Sequence, residues 1–210
     1  MAQPAARSVS PPAHPLSGVT AFTMRRRVSW REQYWEFRPL GDDGVEGDVV
    51  LYATQRQLRV PEEYPFSTDR AHTRPSMTVR ARRTLNFGNA CYDAFDEHGA
   101  LIGWLQYRWM ESQVVHTWRV VGRGADLVGL QQNVVAGMLR VAISRLPFGT
   151  VVPWRRGFDA RFRDGMGAVR LRIECRAGSR DRYTVTTPGG SVDARLAAGI
   201  ALLLDWRGGV

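Results

Sequence analysis

Hydrophobic and polar positions alternate along most of this chain, and the alternation breaks in two places. From about residue 28 to 123, short runs repeat with period two, as strands with one buried face require. Tyr34-Trp35-Glu36-Phe37 leads to a Gly-Asp-Asp-Gly turn at 41–44, and Val49 to Ala53 reads as the return strand. Met77 to Arg82 alternates and places Arg80 and Arg82 on one face. Cys91 to Phe95 runs into Asp96-Glu97-His98-Gly99 and returns as Leu101 to Leu105, with Gly99 free to take the positive φ of a tight turn. Val114 to Val121, carrying Trp118, is another strand. Ala168 to Cys175 sets Arg170 and Arg172 against Val169, Leu171 and Ile173, and Tyr183 to Val185 enters the last turn. Tyr34, Tyr92 and Tyr183 each open a strand that ends in a glycine turn, at Gly44, Gly99 and Gly189. Repeated hairpins of this kind can close a sheet on itself and remove its edges.

The first break is the C-terminal run SVDARLAAGIALLLDW, apolar on every side from Leu196 to Leu204. A helix without a polar face cannot lie on a surface. Asp193 to Asp205 spans roughly 20 Å at the helical rise, less than the ~30 Å core of a bilayer. The run therefore has to be enclosed, and the economical architecture is a sheet wrapped around a terminal helix. The second break covers 125–163. Asp126 reads as an N-cap, and Leu127, Leu130, Val134, Met138, Val141 and Ile143 recur at near-helical spacing until Leu146-Pro147. This predicts an inserted amphipathic helix at about 126–146, followed by a loop with Trp154, Arg155 and Arg156. Aromatics interleaved with arginine suit a membrane interface; the other reading is that the helix caps the sheet and these aromatics belong to the core.

Composition narrows the class. The length of 210 residues and 44% apolar content fit one domain with a real core. The net charge is +9, and all 29 basic residues are arginine, a side chain that binds carboxylate and phosphate through two parallel hydrogen bonds. Cys91 and Cys175 match no metal spacing and give no disulfide framework. Residues 1–24 read as a disordered, Pro-, Ala- and Ser-rich tail with neither signal peptide nor anchor, and Arg25-Arg26-Arg27 as solvated surface or a basic arm. A cytoplasmic protein, at most peripheral to a membrane, is the expectation.

Catalytic chemistry finds little to stand on. None of the four His lies in a metal frame, Ser112 and His116 share a strand face without an orienting acid, and no glycine-rich phosphate loop opens a helix. Asp93, Asp96, Glu97 and His98 at the hairpin tip fit turn geometry better than a cation site. The expectation is a non-enzymatic protein without a cofactor or metal. The candidate anion-binding residues are Arg80, Arg82, Arg170 and Arg172 on strands, with Trp154, Arg155 and Arg156 on the loop. Nucleic acid is a second polyanion that such a surface suits, although no recognition helix or ribonucleoprotein-type aromatic motif is present.

With these elements placed, the chain resembles the tubby C-terminal-like superfamily, in its LURP-one-related and phospholipid-scramblase-like branch. Three segments carry the resemblance: the hairpin YDAFDEHGALIGWL at 92–105, the SQVVHTW stretch at 112–118, and VDARLAAGIALLLD at 192–205. Together with the order of elements, the match covers roughly residues 28 to 207. The chain departs from that branch in its longer 125–163 segment and in lacking an acidic calcium segment near the terminal helix. The resemblance implies a closed antiparallel β-barrel of about 12 strands threaded by the C-terminal helix over residues 25–210, and binding of phosphoinositides or other anionic lipids. The alternatives are a scaffold or protein-interaction subunit of a larger assembly, or a nucleic-acid binder; oligomeric state stays open.

Overall fold

Each alternating run forms a strand that pairs with its neighbour in sequence. The computed structural model describes residues 14–28, 33–55, 62–83, 89–108, 117–131, 158–175 and 181–208. Its strands are β1 (Ala21–Val28), β2 (Gln33–Pro39), β3 (Leu51–Thr54), β4 (Glu63–Ser67), β5 (Pro75–Ala81) and β6 (Ala90–Asp96), then β7 (Leu101–Tyr107), β8 (Thr117–Gly122), β9 (Ala125–Gln131), β10 (Phe158–Arg163), β11 (Val169–Cys175) and β12 (Arg182–Thr186). All neighbours are antiparallel and β12 returns to β1, which closes an up-and-down barrel and leaves no free edge. Phe22 stands opposite Val185 and Met24 opposite Tyr183 at the closing seam. Glu46, in the β2–β3 connection, straps that seam: it accepts a hydrogen bond from Arg25 of β1 at 2.8 Å and pairs with Arg182 of β12.

An eight-stranded barrel is filled by its own inward side chains, whereas twelve strands enclose a wider lumen. Helix α1 (Ala194–Gly208) fills it. Leu196, Ala197, Ala198, Ile200, Ala201, Leu202, Leu203 and Leu204 are all buried, and the opposing strands contribute Trp35, Phe37, Phe66, Tyr92, Phe162 and Tyr183 to the same core. Asp193 caps the helix, its Oδ1 accepting the Arg195 amide at 2.9 Å. Close approach of strand to helix explains two glycines. A Cβ on Gly103 would lie 2.3 Å from the Val121 carbonyl oxygen and 2.9 Å from Leu196, and one on Gly122 would lie 2.2 Å from Leu196. Gly103→Ala should therefore lower the melting temperature by several degrees, since overpacking a tight core costs about 1–3 kcal/mol; calorimetry of that variant checks it.

Gly44, Gly99 and Gly189, which close the three tyrosine-led hairpin units, all take positive φ, at 75°, 80° and 70°. Two expectations need correction. Residues 125–131 do not begin a helix: they form β9, paired with β8 and β10. Asp126 is no N-cap but an outward strand residue bound to Arg119. The misleading signal has a physical source. Inward-facing Gly129 is small because the Phe162 ring lies over it, 2.3 Å from where a Cβ would stand, while Val128 and Leu130 face outward. The period-two contrast is thus erased, and Leu127 and Leu130 fall at helical spacing by coincidence. The remainder of the predicted helix, 132–146, lies outside the described residues. The tail also ends earlier than its composition indicated: Leu16 is fully buried and β1 begins at Ala21.

Candidate anionic-ligand site and the two ends of the barrel

The strand arginines singled out as anion ligands do not converge. Arg80 lies on β5 and Arg82 just beyond its end, while Arg170 and Arg172 lie on β11, six strands away around a ring of twelve and so on the opposite side. Each already holds a carboxylate: Arg80 bonds Glu63 at 3.1 Å, Arg82 bonds Asp93 at 2.7 Å, Arg170 bonds Asp164 at 2.7 Å, and Arg172 bonds Asp159 at 3.1 Å and Glu174 at 2.7 Å. Arg25, Arg26 and Arg27 lie on β1, paired with Glu46, Asp181 and Glu36 respectively. Trp154, Arg155 and Arg156 fall in the β9–β10 connection, outside the described residues.

These pairs form cross-strand ladders on the outer surface. Arg82 and Arg119 both lie over the Trp104 ring, 5.8 and 5.4 Å from its centroid, while Asp93 and Asp126 hold their guanidinium groups in place. Arg119 keeps the Asp126 carboxyl below its ordinary range, and Arg170 does the same for Asp164. Exposed pairs of this kind are screened by solvent and contribute little to stability. Charge facing out and apolar side chains facing in is the inverse of a membrane-spanning barrel, whose apolar band faces lipid. No helix among the described residues is long and apolar enough to cross a membrane.

The strands hold 11 arginines and seven carboxylates, and strand direction assigns the further charge of the connections to two rims. In a closed meander every odd-to-even connection leaves from one rim and every even-to-odd connection from the other. Helix α1 starts beside Gly103 and Gly122 at the near rim and ends beside Trp35 and Tyr183 at the far rim. By sequence, the far-rim connections hold Arg31, Arg56, Arg59, Arg82, Arg83, Arg108, Arg140, Arg145, Arg155, Arg156, Arg176 and Arg180 against Glu32, Glu62, Glu111 and Asp181. They also hold Trp30, Trp109 and Trp154. The near-rim connections hold Asp42, Asp43, Glu46, Asp48, Asp69, Glu97, Asp164 and Asp193 against Arg70, Arg74 and Arg123, and no tryptophan. By sequence, the odd-to-even connections therefore hold a positive excess and the even-to-odd connections a negative one, with Glu46 and Asp164 of the latter paired to strand arginines and Arg82 of the former paired to Asp93. Among the described residues as a whole, 19 arginines stand against 18 carboxylates, so most of the net charge of +9 lies in segments outside them.

Just inside that rim is a buried acid. Asp205, in the last turn of α1, is 1% exposed; it accepts hydrogen bonds from Trp35 Nε1 at 2.7 Å and Tyr183 Oη at 2.8 Å, with Arg26 at 3.6 Å. Burial pushes its carboxyl up while the Trp35 hydrogen bond, Arg26 and the Tyr183 hydrogen bond hold it down, and the net direction is up. Burial, then the Asp205 charge, pushes the Tyr183 phenol up as well. Burial raises the Cys175 thiol to about 11, the condition of an inert structural cysteine. Reading the residues missed this cluster; its one visible sign was an acid at the end of an otherwise apolar helix.

The other chemical candidates resolve simply. Asp96 accepts the His98 and Ala100 amides at 3.0 and 2.8 Å, which is turn geometry. Ser112 and His116 lie outside the described residues. Among the described residues, no group of three or more His, Cys, Asp or Glu is placed to hold a metal ion. The chain matches no protein-family model and no curated protein.

Proposed function

We propose that this protein is a non-catalytic binding module that docks the far end of its barrel on an anionic, phosphate-bearing surface, with an anionic phospholipid bilayer as the partner. The observation that carries the reading is the separation of charge by strand direction: arginine and tryptophan are concentrated in connections that all begin and end at one rim. An ordinary basic composition would spread arginine over both ends. A field of this polarity orients the molecule on approach and raises the encounter rate with an anionic surface, while arginine meets phosphate and tryptophan rings suit the headgroup level. The strand arginines, neutralised by their carboxylate partners, serve the barrel wall in this reading. Membership of the tubby C-terminal-like superfamily is part of the proposal, on the order of its three matching segments.

Vesicle flotation tests it. Vesicles containing phosphatidylserine or a phosphoinositide should float the protein, phosphatidylcholine vesicles should not, and added salt should weaken the binding because exposed charges are screened beyond about 8 Å at physiological ionic strength. Arg155→Glu with Arg156→Glu should reduce flotation, whereas Arg170→Glu, on the barrel wall, should leave it nearly intact. Equal flotation with neutral vesicles, or an Arg170→Glu loss as large as that of the double variant, would remove the reading. Salt-sensitive retention of single- or double-stranded nucleic acid without flotation would replace lipid with nucleic acid as the partner.

A further inference from the structure

The near end of the barrel is closed by residues that precede the first strand. Leu16 is fully buried there, and a short set of backbone bonds folds the segment under it: Ser17 N–H donates to the His14 carbonyl at 2.7 Å and Val19 N–H to the Leu16 carbonyl at 3.2 Å. Thr187 ties its base to the sheet by donating both its N–H and its hydroxyl to the Thr20 carbonyl. Between this segment and the start of α1 lies a cavity of about 250 Å³, lined by His14, Leu16, Val19, Val192, Asp193 and Arg195 among others. The wall of the plug that faces this cavity thus includes a titratable ring.

His14 does structural duty only when neutral. Its Nδ1 accepts the Leu16 N–H at 3.1 Å, and its Nε2 is buried without a hydrogen-bond partner. A protonated ring carries hydrogen on both nitrogens, so it loses the acceptor that holds Leu16 and gains a buried donor with nothing to receive it. We propose that residues 14–19 form an acid-released plug over the near end of the barrel, with the His14 ring as its latch.

The electrostatic surroundings agree with the geometry. Burial first, and then the Arg195 guanidinium, lower the His14 imidazole to about 4, against the opposing pull of Asp193 and Glu97. Asp193 stays ionised across this window: burial raises its carboxyl, but its hydrogen bonds with Arg195 hold it below the ordinary range. Asp96 joins Glu97 in acting on Arg195 from the β6–β7 turn. The sign follows from linkage. The released segment takes up a proton near its ordinary value of 6.5 and the docked segment only near 4, so docking is complete above 6.5 and weakens as pH falls between the two. Allowing for the partial exposure of the ring, the plug equilibrium should shift by a factor on the order of 100 across that range.

Amide hydrogen exchange on the full chain, corrected for the intrinsic pH dependence of exchange, tests this. The Leu16 and Val19 amides should be protected at pH 7.5 and lose protection towards pH 4.5, with β1 and α1 amides protected throughout. His14→Asn places a non-titrating oxygen where Nδ1 stands and should keep the Leu16 amide protected at both pH values. In Leu16→Ser, which removes the plug by another route, the His14 ring should titrate near 6.5 by NMR. Leu16 protection in the wild type that does not change with pH, release in His14→Asn over the same range as in the wild type, or a Leu16→Ser imidazole still titrating near 4 would each overturn the proposal.

Discussion

Leu203→Asp should give no cooperatively folded protein. Leu203 is fully buried on a helix enclosed on all sides by strands, so the new carboxylate has neither water nor a designated partner. Burying an unpaired ionised group costs several kcal/mol even after it neutralises by taking up a proton, and the lost leucine contributes about 1.5–3 kcal/mol more. Together these approach the ~5–15 kcal/mol that holds a domain folded. Expression in the insoluble fraction, or a melt without a cooperative transition, is the expected result. A soluble variant with a sharp melt near the wild-type temperature would show that α1 is not the centre of the barrel.

Asp205→Ala should be the most damaging change at a polar position. It leaves the Trp35 N–H and the Tyr183 hydroxyl without their shared acceptor and Arg26 without its buried counter-charge. Removing one partner of a buried charged cluster costs about 3–5 kcal/mol, which in a chain of this size lowers the melting temperature by roughly 10 °C. Asp205→Asn keeps an acceptor and should cost less. It also isolates a pH effect. Burial raises the Asp205 carboxyl above its ordinary value of 3.8, so the folded state binds a proton more readily than the unfolded chain. The stability this group contributes is full below the unfolded value and declines as pH rises through the folded one. The advantage of wild type over Asp205→Asn should therefore shrink from pH 4 towards neutrality; a difference independent of pH would mean that Asp205 titrates alike in both states.

The barrel and its plugging helix were legible because two local patterns leave few solutions. Alternation at Met77 to Ala81 and Val169 to Cys175 demands one buried face, and an unbroken apolar run from Leu196 to Leu204 demands burial all round; a closed sheet around a helix satisfies both. The pattern failed at β9, where Gly129 is small to admit the Phe162 ring and Val128 and Leu130 face outward. Local periodicity cannot register a neighbour thirty residues away. The same limit governs charge. Arg80 and Arg172 look like free cations along the chain, yet Glu63 and Asp159 reach them across strand pairs, and only pairing register brings those groups together. Composition determined that the chain is basic, and the unbroken apolar run from Leu196 to Leu204 that its helix must be enclosed. Only the tertiary structure decided which connections share a rim, because strand direction, a property of the closed meander, assigns each connection to one rim or the other.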